Sequence, residues 1–157
     1  MTPYDRHLQA AIGYLELGMP LDANDEIEAI EPEMKTLSEV LAVRVEVFRA
    51  LSKWELMEVV ARQLAFQQPD EPQSFISLAF ATRRAIGLQE ALSVLARVAN
   101  RFPTCATILY NLACYAAQLG HLDVARNRLA EATKLEPVFR KMALSDPDLS
   151  ALHGELR

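Results

Sequence analysis

The sequence predicts an all-α fold of about four helix-turn-helix hairpins stacked in a row and closed by a C-terminal capping helix. Two observations carry this. Pro69, Pro103 and Pro137 stand 34 residues apart, and a second set of breaks, Gly18, Ser52, Ile86-Gly87 and Gly120, recurs on the same interval. Between the breaks, apolar and small residues return at helical spacing. A fixed period of between about 20 and 50 residues means supersecondary units that bury their apolar faces on their neighbours. The period divides a single domain, residues 1–157, into units at approximately 4–34, 35–69, 70–103 and 104–137, with a cap at 138–157.

In the first unit the turn falls at Gly18-Met19-Pro20, and Pro20 suits the opening turn of a helix. Its second helix is cut short, because Pro32 arrives three residues before the period would place it at Lys35. In the second unit Thr36 with Glu39 and Ser52 with Glu55 have capping-box spacing, which predicts helices over about 37–51 and 53–67. The third opens on Asp70 and Gln73, spaced as a reciprocal cap. It carries an inward stripe of Phe75, Leu78, Ala79 and Thr82, turns at Gly87, and presents Ala91, Leu95 and Val98 before Pro103.

The fourth unit is the clearest. Ile108, Leu109, Leu112, Ala113, Tyr115 and Ala116 form one stripe, and Gly120 can take the left-handed conformation that ends a helix. Leu122, Ala125, Leu129, Ala132 and Leu135 form the next stripe, and Pro137 stops it. Val138 to Leu144 then reads as a helix, and Asp146-Pro147-Asp148 starts a short one bearing Leu149, Leu152 and Leu156. A terminal array face needs such a cover.

Composition narrows the function. Lys and Arg total 16 against 21 Asp and Glu, a net charge of −5, which argues against nucleic-acid binding, where clustered bases neutralise phosphates. The run Asp22, Asp25, Glu26, Glu28, Glu31 and Glu33 reads as a solvated helix face, with a docking patch for a basic partner as the alternative. No segment approaches the ~20 apolar residues that span a bilayer, and residues 1–18 lack a signal-peptide run. Cys105 and Cys114, one at a helix start and one within the helix, are badly placed for a disulfide. Two thiols and few glycines point to a reducing cytoplasm.

The period and residue classes resemble the tetratricopeptide repeat (TPR), whose pattern runs W-x2-L-G-x2-Y, A-x3-F, P. In the fourth unit Leu109, Leu112-Ala113 and Ala116 stand for the first block, and Ala125, Leu129 and Pro137 for the rest. Phe75, Leu78, Ala79, Thr82, Ala91, Leu95 and Pro103 match one unit earlier. Leu41, Arg44, Val45, Phe48, Met57, Ala61 and Pro69 match before that, with the small and large residues exchanged at Met57 and Ala61. The first unit keeps Ala10, Ala11, Tyr14, Ala23 and Ile27, with its closing proline out of register.

The resemblance implies a right-handed α-solenoid that binds an extended peptide or short helix of another protein along a groove lined by the first helix of each unit. In this register the groove residues are Leu8, Ile12 and Leu15; Ala42, Glu46 and Arg49; Ile76, Phe80 and Arg83; and Tyr110, Asn111 and Cys114. Several are large and apolar, which suits an apolar anchor on the partner. Arg49, Arg83 and Arg84 suit an acidic group on it. Phe80 and Tyr110 are expected to be open to the groove.

One variant of the family clamps a partner's C-terminal carboxylate with Lys, Asn and Arg. Asn111 fits one such position, but Glu39, Ala42, Gln73 and Ile76 replace the lysines, which argues against that mode. The expected role is thus a non-enzymatic interaction module or scaffold, with no cofactor. The alternatives are a TPR-type cytoplasmic secretion chaperone, or a self-associating homo-oligomer whose groove holds its own copies. Catalysis finds little support: His7, His121 and His153 lie in separate units without partner spacing, no phosphate-binding glycine loop or nucleophile elbow occurs, and neither cysteine has metal-ligand spacing.

Overall fold

The computed structural model describes all of residues 1–157 and consists of ten α-helices, with no strand. They are α1 (Pro3–Glu16), α2 (Pro20–Glu28), α3 (Ser38–Ala50), α4 (Trp54–Gln67), α5 (Pro72–Ala85), α6 (Leu88–Val98), α7 (Ala106–Gln118), α8 (Leu122–Leu135), α9 (Val138–Ser145) and α10 (His153–Leu156). A 3-10 segment, Pro147–Leu152, joins the last two. None of the helices is long and apolar enough to cross a membrane.

Burial repeats on the period read from the sequence. Ala11, Val45, Ala79 and Ala113 are all buried, and so are Ala23, Met57, Ala91 and Ala125. The same holds for Ile27, Ala61, Leu95 and Leu129, and for Ile30, Leu64, Val98 and Ala132. Small residues dominate the first two columns because helix backbones approach closest there, and a larger side chain would force them apart.

The turns repeat too. Gly18 (φ 72°), Ser52 (φ 55°) and Gly120 (φ 82°) are left-handed. At each, the next amide donates back five positions: Met19 to the Tyr14 carbonyl (2.8 Å), Lys53 to Phe48 (2.9 Å) and His121 to Ala116 (2.9 Å). The amides of Gly18, Ser52 and Gly120 donate to Leu15, Arg49 and Ala117, completing a Schellman motif each time. The residue after the left-handed one is then the N-cap of the next helix.

This geometry overrides three expected caps. Ser52 ends α3 instead of capping α4, whose N-cap is Lys53. Thr36 donates its hydroxyl to the Glu33 carbonyl, and α3 starts from Leu37 without a side-chain cap. Glu71, not Asp70, accepts from the Gln73 amide. A capping box forms instead at Thr2 and Asp5, where hydrogen bonds from Thr2 hold the Asp5 carboxyl below its ordinary pKa.

Contacts divide the chain into two compact units, Met1–Ala85 and Ile86–Arg157. The division falls within the predicted third hairpin, so α5 belongs to the first unit and α6 to the second. In the first, α1 packs on α2, α3 on α4, and α5 on α4, with α3 also touching α1 and α2. Its first core joins Leu8, Ala11, Ile27, Ile30, Val40 and Val47. Pro32 does shorten α2, which stops at Glu28. In the second unit α7 packs on α6, α8 and the 3-10 segment, while α9 packs on α8 and α10.

Candidate functional site

In the first unit, α1 and α3 leave an open cleft of about 560 Å³ between them. Ile12 and Leu15 of α1 and Val43 of α3 form its half-buried floor, resting on the core around Ala11 and Val40. Ala42 and Glu46 are exposed on its α3 wall, and Arg49 closes one end. Helical spacing puts Ala42, Glu46 and Arg49 on one face, one turn apart. Of the residues expected in a groove, these are the ones the structure brings together.

Arg49 is held from several sides. Its Nε lies 3.3 Å from Glu46 Oε2, its Nη2 donates to Ser77 Oγ at 3.4 Å, and its guanidinium lies over the Phe80 ring at 4.8 Å. The Nε–H is not aligned on Glu46, however, and this buried atom has no hydrogen-bond acceptor. An unsatisfied donor of this kind costs about 1–3 kcal/mol, which the Glu46 carboxylate beside it offsets in part.

Phe80 is less open than the sequence suggests. It packs edge-on against Trp54 (centroids 5.7 Å apart, planes at 67°), and Arg84 covers the Trp54 ring at 4.6 Å. Arg49 and Arg84 thus flank an edge-to-face aromatic pair, Phe80 and Trp54, with Phe80 half-buried between its neighbours. Trp54 stands at the start of α4 with no sequence signal linking it to Phe80, so the register alone missed it. Ile76 and Arg83 on α5 are also half-buried.

Three expected groove residues are closed off. Leu8 is buried in the core that α1 shares with α2 and α3. Tyr110 and Cys114 on α7 are 5% and 4% exposed, because the chain's own C-terminal segment lies over them. Phe139 stacks on the Tyr110 ring (4.6 Å, 20°), and the Tyr110 hydroxyl donates to Asp146 Oδ2 at 2.7 Å. Cys114 Sγ lies 3.7 Å from the same oxygen. Burial, with the Asp146 carboxylate beside it, raises the Tyr110 pKa far above the ordinary tyrosine value. Asn111 is half-buried.

Further bonds pin this cap. Gln118 donates to Asp148 (2.9 Å), His153 Nε2 donates to the Asp146 carbonyl (2.9 Å), and Arg126 grips Glu155 through two bonds of 2.7 and 2.9 Å. That grip lowers the Glu155 pKa and raises the Arg126 pKa. Leu149 and Leu152 are buried beneath.

Cys114, Asp146 and Asp148 converge within 4.8 Å, a grouping the linear spacing concealed. Their donors and acceptors are already engaged: Asp146 by Tyr110, Cys114 and the Asp148 amide, and Asp148 by Gln118. The cluster is a latch. Likewise His7 does have a partner, Glu26, at 2.6 Å across α1 and α2. A second cleft, of about 490 Å³, lies between α8 and the C-terminal helices, with Arg126, Lys134 and Arg140 on its rim. Arg126 and Arg140 are both bonded within the chain, to Glu155 and the Leu156 carbonyl. Cys105 and Cys114 form no disulfide.

No protein-family model matches this chain, and no curated protein matches it.

Proposed function

We propose that this chain is a TPR-like α-solenoid protein and a non-enzymatic interaction module, whose first unit holds an amphipathic helix of another protein in the α1–α3 cleft. One observation carries the reading. Counting by 34, Tyr110 and Cys114 correspond to Ala42 and Glu46, and the two pairs meet opposite fates. On α7 they are covered by a segment of this chain that supplies an aromatic ring and a carboxylate, Phe139 and Asp146. On α3 they border an open, mostly apolar cleft. The ligand chemistry follows from that precedent: an apolar anchor over Ile12 and Leu15, and a carboxylate for the Arg49 guanidinium at the end of the cleft.

Selection of displayed helical peptides on the immobilised full chain tests this. Selected peptides should carry an acid one or two turns from an apolar anchor, and Ala42→Trp, which fills the cleft from an exposed position, should abolish their binding. Equal binding to Ala42→Trp would refute the site. A selection that returns no helical peptide would refute the function.

A further inference from the structure

The outward face of α4 breaks the pattern of the rest of the chain. Leu56, Val59 and Phe66 are 49%, 62% and 88% exposed and line one side of the helix, with Gln63 between them. The opposite side, Met57, Val60, Ala61, Leu64 and Ala65, is fully buried. A helix that is apolar on both sides is one that is covered on both sides.

The repeat supplies its own control. One period either way, Val59 becomes Asp25 and Ser93, and two periods on it becomes Asn127. Phe66 becomes Pro32, Asn100 and Lys134. Leu56 becomes Asp22 and Glu90, with Val124 the single apolar equivalent. The fold therefore does not require apolar residues there, and only the α4 unit is apolar at all three positions.

We propose that this stripe is the interface of a homodimer in which α4 pairs antiparallel with α4 of a second copy. The stripe has the 3-4-3 spacing of a helix–helix seam over a helix about 21 Å long. Antiparallel pairing sets Leu56 on Phe66 of the partner subunit and Val59 on Gln63 of the partner subunit. Each contact then occurs twice, as two-fold symmetry demands.

Charge selects this occupant and this direction. Lys53 at the start of α4 and Asp70 just past its end are exposed. Antiparallel pairing brings Lys53 to Asp70 of the partner subunit at both ends and opposes the helix dipoles. Parallel pairing would set like charges together. At the centre, Arg62 is already ion-paired with Glu58 of its own helix. The surface is thus complementary to itself. A seam of one helix per copy buries little area, so the dimer is a concentration-dependent one.

Sedimentation equilibrium of the full chain, from low- to high-micromolar concentration, tests the proposal. Wild type should show a monomer–dimer equilibrium. Val59→Glu and Phe66→Glu, both exposed and therefore able to keep the wild-type circular dichroism, should each weaken it about 100-fold or more, because each change acts twice. Ala42→Trp should leave it unchanged, which separates this surface from the cleft. In a Cys105→Ser background, Leu56→Cys with Phe66→Cys should cross-link as a dimer, whereas either alone should not. A wild type that stays monomeric throughout would overturn the proposal, including the case in which the stripe takes up another protein. So would glutamate variants that dimerise normally, or efficient cross-linking through Leu56→Cys alone, which would mean parallel pairing.

Discussion

Replacing Asp146 by alanine should uncover Cys114 without unfolding the rest of the chain. Asp146 joins the cap to α7: Oδ2 accepts from Tyr110 at 2.7 Å and lies 3.7 Å from Cys114 Sγ, while Oδ1 accepts from the Asp148 amide that opens the 3-10 segment. A hydrogen bond to a charged group contributes about 1.5–3 kcal/mol and an N-cap about 1. Asp146 is half-buried, so solvent screening favours the lower part of that range. A loss of about 2–3 kcal/mol raises the opening equilibrium of the cap roughly 30- to 150-fold. Cys114 is 4% exposed when the cap is closed, so its reaction with a soluble disulfide reagent reports that opening directly. In a Cys105→Ser background the modification rate should rise by this factor, and it should stay insensitive to low urea, as local opening requires. Tyr110→Phe, which removes one donor and keeps the ring on Phe139, should give a smaller rise of about 10- to 15-fold, from the roughly 1.5 kcal/mol of that one bond. An unchanged rate in Asp146→Ala would refute the latch, as would a wild-type Cys114 that reacts like an open thiol.

Ser52→Gly should stabilise the chain by about 1 kcal/mol, because serine occupies a left-handed position at φ 55° that glycine adopts freely. Gly18→Ala and Gly120→Ala should cost about as much. A Cβ at either site would meet nothing within 4 Å, so the cost is purely backbone, and urea denaturation that found these changes neutral would refute the account. Ile86→Gly should supply the left-handed residue missing from the third turn. Exchange of the residue 87 amide should then slow by about 2- to 10-fold as it bonds back to Thr82, and unchanged exchange would mean the turn is set otherwise. Alkali should open the cap. The Tyr110 pKa is raised in the folded state, so its contribution is complete below the ordinary tyrosine value of 10.0 and fades as pH climbs above it. Tyrosinate absorbance should show a late step that coincides with Cys114 exposure and is absent in Tyr110→Phe. Titration of Tyr110 near its ordinary value with Cys114 still protected would contradict this.

The period made the helix order, the short α2 and the buried columns legible, because each unit imposes the same packing demand on the same position. Local capping patterns were less informative. Thr36–Glu39, Ser52–Glu55 and Asp70–Gln73 all fit a capping box and none forms one, since the Schellman turns and their neighbours fix where the helices begin. Of the groove set, Ile12, Leu15, Glu46 and Arg49 lie together as the register implies. Tyr110 and Cys114 do not, for a tertiary reason: their side chains face the right way, but residues 139–149 return over them. Nothing in the α7 sequence encodes that return. Leu8 failed differently, drawn into the core by the shortness of α2 and the approach of Ile30 and Val40.

Columns that behave alike in every unit and columns that do not carry different information. Where four residues 34 apart are all buried, as with Ala11, Val45, Ala79 and Ala113, the fold alone explains them. The column Leu8, Ala42, Ile76 and Tyr110 runs from buried through exposed and half-buried to buried again, so hairpin packing does not dictate its members. The column Asp25, Val59, Ser93 and Asn127 is polar except at one member, and that member lies beside Leu56 and Phe66 on the same open face. Two isolated departures would mean little. Here both kinds are spatially coherent, one as a cleft and one as a stripe, and they occupy different surfaces of the same unit, α1–α3 and the back of α4. An apolar stripe that no hairpin needs lowers solubility unless something covers it. Its presence on α4 is therefore the stronger argument for contact, and the cleft, whose counterpart on α7 the C-terminal cap fills, is the stronger argument for what kind of ligand is held.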